Sequence, residues 1–401
     1  MEFEAFNFHP SVRAGIAAAG YETPTPIQAM AIPKVIENHD IMGLAQTGTG
    51  KTAAFALPIL NRLLKGKHGR IRALVIAPTR ELAEQIHQSF VTLGKKTSVK
   101  SVAVYGGVGI NPQVMNLKNA DIVVACPGRL LDHIKRQSVN LSKLEVLVVD
   151  EADHLFDMGF LPDIRRILKH LPENRQTLLF SATMPPEIKG LARDILRAPS
   201  TVQAGTTAPA ETVSHALYPV EGHLKTALLL KLLGNTGTGS VLVFTRTKHR
   251  AKTLEKKLAN AGYRSASLQG NLSQSRRQAA LEGFRSGKFQ ILVATDIAAR
   301  GIDVTRISHV INYDIPSTPE AYIHRVGRTG RAASSGEAFT LVTREDKNMV
   351  SAINRVIGCE VEQRTLPSFN YESPGSAHKE VFSRSETPQQ KFTGRKRACK
   401  R

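Results

Sequence analysis

Along the chain, short unbroken apolar runs rich in β-branched residues alternate with longer stretches of helical period. The first half holds Ala73-Leu-Val-Ile-Ala77, Asp121-Ile-Val-Val-Ala125, Val146-Leu-Val-Val149 and Thr177-Leu-Leu-Phe180. The second holds Val241-Leu-Val-Phe244, Gln290-Ile-Leu-Val-Ala294, His309-Val-Ile-Asn312 and Ala338-Phe-Thr-Leu-Val342. Runs this short and this continuously apolar predict strands buried on both faces, hence parallel sheets covered by helices on either side. The halves also repeat each other. Ala73 to Gly94 reads as strand then helix, as does Val241 to Gly262, and a further strand follows about 48 residues after each first one. Between the halves, Ala204-Gly-Thr-Thr-Ala-Pro-Ala-Glu211 has small residues, a proline and no period, as a linker should. The predicted fold class is α/β, with two tandem doubly wound parallel-sheet domains. They span residues 1–205 and 213–368, joined by a linker over 206–212 and followed by a short basic disordered tail over 369–401.

Composition agrees with two bodies. The 401 residues are 41% hydrophobic and 22% charged, enough for each half to bury its own core. Fifty-four Lys and Arg against 34 Asp and Glu leave a formal charge of +20, which points to a polyanionic partner, nucleic acid or anionic membrane. From Tyr371 to Arg401 there are eight Lys/Arg and three Glu, a net +5, so the preceding 370 residues still carry +15. No run approaches the roughly 18 apolar residues of a spanning helix. The acidic start, Met1-Glu2-Phe3-Glu4, does not read as a signal peptide. Cys126, Cys359 and Cys399 are isolated and form neither a CxxC metal pair nor a disulfide framework. The expectation is a reduced, cytoplasmic protein with no membrane partner.

Two segments carry chemistry. Ala45-Gln46-Thr47-Gly48-Thr49-Gly50-Lys51-Thr52 lies between the apolar run around Ile41 and an apparent helix over Ala53–Leu64. Backbone N–H groups of such a turn bind phosphate oxygens, Lys51 reaches the β- and γ-phosphates, and the Thr52 hydroxyl can ligate Mg²⁺. Ala45 replaces the first glycine of the strict phosphate-loop pattern, so a plain Gly-rich turn beside a lysine is the alternative. Val146–Val149 runs into Asp150-Glu151. Strand alternation sends the two carboxylates different ways, so Asp150 can serve the metal side and Glu151 the attacking water as general base. A solvated acidic turn is the alternative. A phosphate loop about 100 residues upstream argues against it.

Asp150-Glu151-Ala152-Asp153 stands among Gly20-Tyr-Glu-Thr-Pro-Thr-Pro-Ile-Gln28, Pro78-Thr-Arg-Glu-Leu-Ala83, Gly106-Gly107, Pro127-Gly128-Arg129 and Ser181-Ala-Thr183. Ala294-Thr-Asp-Ile-Ala-Ala-Arg-Gly-Ile-Asp303 and His324-Arg-Val-Gly-Arg-Thr-Gly-Arg331 follow in the second half. From Phe3 to about Pro367 this order and spacing resemble the DEAD-box RNA helicases of superfamily 2. The resemblance implies RecA-like domains, RNA as partner, ATP and Mg²⁺ as cofactors, and ATP hydrolysis coupled to local, non-processive duplex opening or remodelling of RNA–protein assemblies. It assigns adenine recognition to Gln28, whose amide both donates and accepts. It sets Phe3 and Tyr21 beside the base, where core aromatics are the alternative, and gives Asp303 the ribose. Arg328 and Arg331 match the arginine fingers, which neutralise charge developing on the γ-phosphate. Asp153, Ser181, Thr183 and His324 match the residues that couple the nucleotide site to unwinding.

Arg80, Arg129, Arg246 and Arg300 follow predicted strands, at the working edge of such sheets. By resemblance Arg80, Gly107, Arg129, Thr245, Gly270 and Thr295 belong to the RNA track, whose phosphate and sugar contacts read little sequence. The basic tail is expected to raise affinity through counterion release. Cys126 stands where the family usually has Thr, and Gln269 where it commonly has His. Gly106-Gly-Val-Gly-Ile-Asn-Pro-Gln113, Asp157-Met-Gly-Phe160 and Val243-Phe-Thr-Arg-Thr-Lys-His249 resemble the bacterial RhlE-like subgroup, which implies ribosomal or RNA-degradation assemblies as the setting. A DNA helicase and an ATP-gated RNA clamp are the rival readings.

Overall fold

The computed structural model describes residues 2–45, 48–204, 213–235, 239–299, 307–330 and 336–372. The strands of the first half are β1 (Ile41–Leu44), β2 (Ala73–Ile76), β3 (Ser101–Val104), β4 (Ile122–Ala125), β5 (Val146–Val149), β6 (Gln176–Ser181) and β7 (Ser200–Gln203). Those of the second are β8 (Val213–Pro219), β9 (Ser240–Phe244), β10 (Ser265–Leu268), β11 (Ile291–Ala294), β12 (Ile307–Asn312), β13 (Gly336–Val342) and β14 (Glu362–Gln363). They build two seven-stranded sheets, ordered β3-β4-β2-β5-β6-β1-β7 and β10-β11-β9-β12-β13-β8-β14. Every pairing is parallel. Position by position the second order is the first shifted by seven strands, so the loose sequence repeat is a repeat of topology.

Pleating explains the unbroken apolar runs. Ala73 and Val75 of β2, with Val146 and Val148 of β5, join a core containing Phe55, Phe90 and Phe180 on one face. Leu74, Ile76, Leu147 and Val149 join a different core on the other face. In the second sheet Val241 and Val243 serve one core while Leu242 and Phe244 serve another. Every residue of these strands is claimed by one face or the other, which favours apolar side chains along their whole length.

The edge strands escape this logic. Edge strands β3 and β10 are partly exposed over their first three residues and contain Ser101, Ser265 and Ser267, so they show no continuous apolar run. The linker over 206–212 lies outside the described residues, as do residues 373–401. Phe369 and Tyr371, which the sequence reading gives to the tail, instead pack against the second sheet's core, with ring centroids 4.9 Å apart, and the Leu366 N–H donates to Tyr371 Oη at 2.9 Å. Among the described residues no helix is long and apolar enough to cross a membrane.

Candidate nucleotide and RNA site

Strand order puts the loops after β5, β6 and β1 side by side at one edge of the first sheet. These loops carry the acidic box, Ser181-Ala-Thr183 and the phosphate loop. Gly50 sits at φ 93° and caps the helix Lys51–Leu63, a backbone conformation that L side chains rarely adopt. A Cβ there would also come 2.5 Å from Gln28 Nε2. Gln28 is buried and spends half its amide on the protein. Its Nε2 donates to the Gly50 carbonyl at 3.1 Å, and its Oε1 accepts from the Thr25 N–H at 2.9 Å. One N–H and one lone pair remain for a base. Phe3 is buried with Phe6 in the core, and Tyr21, 41% exposed, stacks on it at 6.2 Å, so Tyr21 is the member of the pair that faces outward. Gln46 and Thr47 lie outside the described residues; Ala45, Gly48, Thr49 and Thr52 lie within them.

Lys51 is 5% exposed and its Nζ has no hydrogen-bond partner among the described residues. A buried ammonium so placed is costly unless an anion joins it, and phosphate fits. Its charge bears on Asp150, Glu151 and Asp153 together.

The two adjacent carboxylates diverge for a reason other than strand alternation. β5 ends at Val149, and Glu151 adopts the left-handed region (φ 49°, ψ 54°) as N-cap of the short helix Ala152–Asp157. A non-glycine residue held there is an outlier of the kind that clusters at functional sites. Burial and then the charge of Glu151 push the Asp150 carboxyl up to about 6, against the pull of Lys51. Burial opposes ionisation of Glu151 too. There the contact with His154, aided by Lys51 and Arg328, outweighs it and holds the carboxyl below its ordinary range.

Asp153 ties the acidic box to β6. Its Oδ2 accepts from the backbone of Ala182 at 3.2 Å and Thr183 at 2.9 Å, and from the Thr183 hydroxyl at 3.0 Å. Its own N–H donates to Ser181 Oγ at 3.1 Å, and that hydroxyl donates to the Thr183 carbonyl at 2.7 Å. Ser181 and Thr183 are therefore both bonded to Asp153.

The second sheet reaches this cluster through the helix Pro319–Val326. His324 Nε2 lies 3.5 Å from Asp153 Oδ2, and His324 Nδ1 is 2.7 Å from His154 Nε2. Arg328, 3% exposed, bonds through Nε to the His324 carbonyl at 3.3 Å, and its charge is felt at Glu151. Arg331 and Asp303 lie outside the described residues, as does Arg300. Arg325 is a different kind of arginine. It grips Asp296 with Nε at 2.5 Å and Nη2 at 2.8 Å, and donates from Nη1 to Asn312 Oδ1 at 3.1 Å and the Asp314 carbonyl at 2.7 Å, which locks the helix to its sheet.

Away from the nucleotide loops, two more contacts cross between the halves. Arg80 Nη1 donates to Gln274 Oε1 at 3.4 Å, and Arg277 pairs with Glu81 at 2.9 Å. Arg80 lies over Gly107, whose φ is 80° and whose added Cβ would sit 1.9 Å from Arg80 Nη1. Arg129 donates to the Val108 carbonyl at 3.1 Å beside the same turn, so Arg80, Gly107 and Arg129 form one patch. Gly270 is exposed and Thr295 half-buried in the second half. Thr245 is not brought to the surface. It is fully buried and its hydroxyl turns to the Thr247 carbonyl at 3.4 Å. Gln269 uses its Oε1 on the Asn271 N–H at 2.7 Å, and Cys126 caps the helix Pro127–Lys135 without a side-chain bond.

Sequence reading missed His154. The available signal was its place three residues after Glu151 at the start of a helix, a spacing that brings side chains together.

Comparison with known proteins covers nearly the whole chain. The family model for the DEAD/DEAH box helicase matches residues 25–191, and that for the helicase conserved C-terminal domain matches residues 224–333. The DEAD-box ATP-dependent RNA helicase RhpA of Helicobacter pylori is 43% identical over 370 residues, 92% of this chain and 75% of that protein. The DEAD-box ATP-dependent RNA helicase CshA of Bacillus subtilis is 41% identical over 372 residues, with the same two shares. A solved structure of S. cerevisiae Dbp5 bound to RNA and ADP BeF3 superposes with a TM-score of 0.84 at 31% identity, covering 91% of this chain and 95% of that one.

Proposed function

The chain belongs to the DEAD-box helicases, and from that premise we propose that it hydrolyses ATP when RNA draws its two sheets together, using closure to open short duplexes or remodel RNA–protein assemblies. The observation that carries this reading is the split site. Lys51, Asp150 and Glu151 stand on one sheet, while Arg328 and His324 come from the other and meet them only across the cleft.

The division of labour follows from the groups. Gln28 reads the adenine with its remaining donor and acceptor, and Tyr21 offers the outward ring. The turn from Ala45 to Gly50 and Lys51 hold the phosphates, with Thr49 and Thr52 at the helix start. Glu151, kept ionised, takes a proton from the attacking water. Arg328 offsets charge on the leaving phosphoryl group, and Arg331 is proposed beside it, with Asp303 on the ribose. Magnesium fits the remaining donors, because Asp150 is a carboxylate whose raised pKa a cation would relieve, and Mg²⁺ takes few protein ligands. Thr52 and Asp150 would hold it, and it would supply charge neutralisation to the phosphates.

Asp153, Ser181, Thr183 and His324 couple the two halves. Arg80, Gly107, Arg129, Gly270 and Thr295 line the RNA track, with Thr245 supporting it from below. Since these groups contact backbone rather than base edges, base preference is weak. Duplex opening at about 1.4 kcal/mol per step, taking the DNA value, limits one closure to a handful of steps. The RhlE-like phrases support ribosome assembly or RNA turnover in the cytoplasm as the setting.

The test is turnover. ATPase should rise with RNA and not with DNA of the same length, and Glu151→Gln should lower kcat by about 10² to 10⁴ while RNA and ATP still bind. Wild-type turnover by Glu151→Gln removes the base; stimulation by DNA removes RNA selectivity. Release of a short duplex with ATP but not with AMP-PNP separates cycling unwinding from a clamp.

A further inference from the structure

The buried histidine after the acidic box spans the cleft in a way the proposed chemistry has not used. His154 is 2% exposed. Its Nδ1 is 2.7 Å from Glu151 Oε2, its Nε2 is 2.7 Å from His324 Nδ1, and the two rings meet edge to face with centroids 4.4 Å apart. We propose that His154 is a positioning residue, which holds the Glu151 carboxylate in place only while His324, delivered by the second sheet, holds His154. The inference rests on Glu151 being the base.

Hydrogen-bond polarity makes the chain directional. An ionised carboxylate only accepts, so Nδ1 of His154 must carry the proton that points at Glu151. Burial pulls the His154 pKa down against the field of Glu151, so the ring is neutral and its Nε2 has a bare lone pair. His324 Nδ1 must therefore donate to it. Oε2 of Glu151 is thereby tied to His154, and the tautomer that does this is enforced from the opposite sheet. Without His324, the Nδ1–H form of His154 loses the donor that favours it, and with it the bond that aims Glu151 Oε2. The arrangement repeats the logic by which a third group sets the tautomer and aim of a catalytic pair. It also gives closure a second effect on chemistry besides bringing in Arg328.

Two near-isosteric substitutions separate the two bonds. His154→Asn sets an amide nitrogen where Nδ1 stands and keeps the donor to Glu151. His154→Gln reaches the position of Nε2 and abandons Glu151. With RNA and ATP saturating, kcat of His154→Asn should stay within about threefold of wild type, while His154→Gln should fall by at least about tenfold, with KM for ATP moving less than about twofold in either. Equal kcat in the two variants, high or low, overturns the proposal. A second measurement needs no variant to fold. In the intact chain labelled with ¹⁵N at histidine and bound to AMP-PNP and a single-stranded RNA, the His154 ring should show Nδ1 protonated and Nε2 bare. The opposite tautomer overturns the proposal. Glu151→Gln run alongside keeps the two failures apart, since wild-type turnover there strikes the base and not the tautomer.

Discussion

At the same place in each sheet a lysine opens the helix that follows the sixth strand across: Lys51 beyond β1 and Lys225 beyond β8. Both are buried. Lys225 donates to the carbonyls of Tyr313 at 3.1 Å and Leu341 at 3.0 Å, and burial lowers its pKa. Lys51 has no such acceptors among the described residues and faces a trio of carboxylates. The matching carboxylates differ in the same sense. Asp314, beyond β12, is satisfied by the Arg246 N–H at 2.9 Å and by Arg250 at 2.6 Å, whereas Asp150, beyond β5, is pushed up to about 6. One scaffold thus serves as a reaction site where its charges are left for a ligand and as a support where they are neutralised internally. In the reading proposed above, the second half contributes to chemistry through what it extends across the cleft, Arg328 and His324, with Arg331 and Asp303 proposed beside them.

The comparison can be broken most severely at Arg328. Arg328→Ala should lower RNA-stimulated kcat by about 10³ or more, the usual worth of an arginine finger. A loss below about tenfold would reduce the second sheet to a cover. Next comes the lysine pair. Lys51→Gln should lower kcat/KM for ATP by about 10² to 10³, while Lys225→Met leaves turnover per folded molecule near wild type and lowers stability against urea by about 1 to 3 kcal/mol. Reversal of the two phenotypes would refute the division between site and support. A smaller effect is expected from Gly107→Ala, which strains a φ of 80° and displaces Arg80. RNA affinity measured by anisotropy with AMP-PNP should fall about tenfold, with ATP affinity unchanged. The smallest effect is expected in the response to acid. Burial lowers the pKa of His215 on β8, so as pH falls below about 6.5 the unfolded chain takes up a proton that the folded one refuses, and stability drops until the folded value is passed. His215→Phe should flatten that slope in thermal melts between about pH 8 and 5.

Much of the architecture was legible because burial on both faces leaves its mark on residue type. Val146–Val149 and Val241–Phe244 could be read as inner strands from four letters each. β3 and β10 could not, since an edge strand tolerates serine. The phosphate loop and the acidic pair were likewise visible as residue types at fixed spacing, and Arg328 through the family resemblance. The reason for the divergence of Asp150 and Glu151 was not, because it lies in the left-handed turn at Glu151 and not in strand alternation. The resemblance set Phe3 beside the base with the core as the alternative, and the packing around Phe6 and Tyr21 puts it in the core.

Residue order carries whatever depends on near neighbours: strand runs, helix starts, a glycine-rich loop before a lysine, and the assignment of half a site to each half of the chain. It does not say which charged groups are already neutralised. Lys51 and Lys225 are the same residue at the same topological position, and what separates them is the set of atoms folded against each Nζ. His154 and His324 are 170 positions apart, yet 2.7 Å separates their ring nitrogens. Hydrogen bonding and burial are set by distance in space, and those distances exist only once both sheets have formed and met.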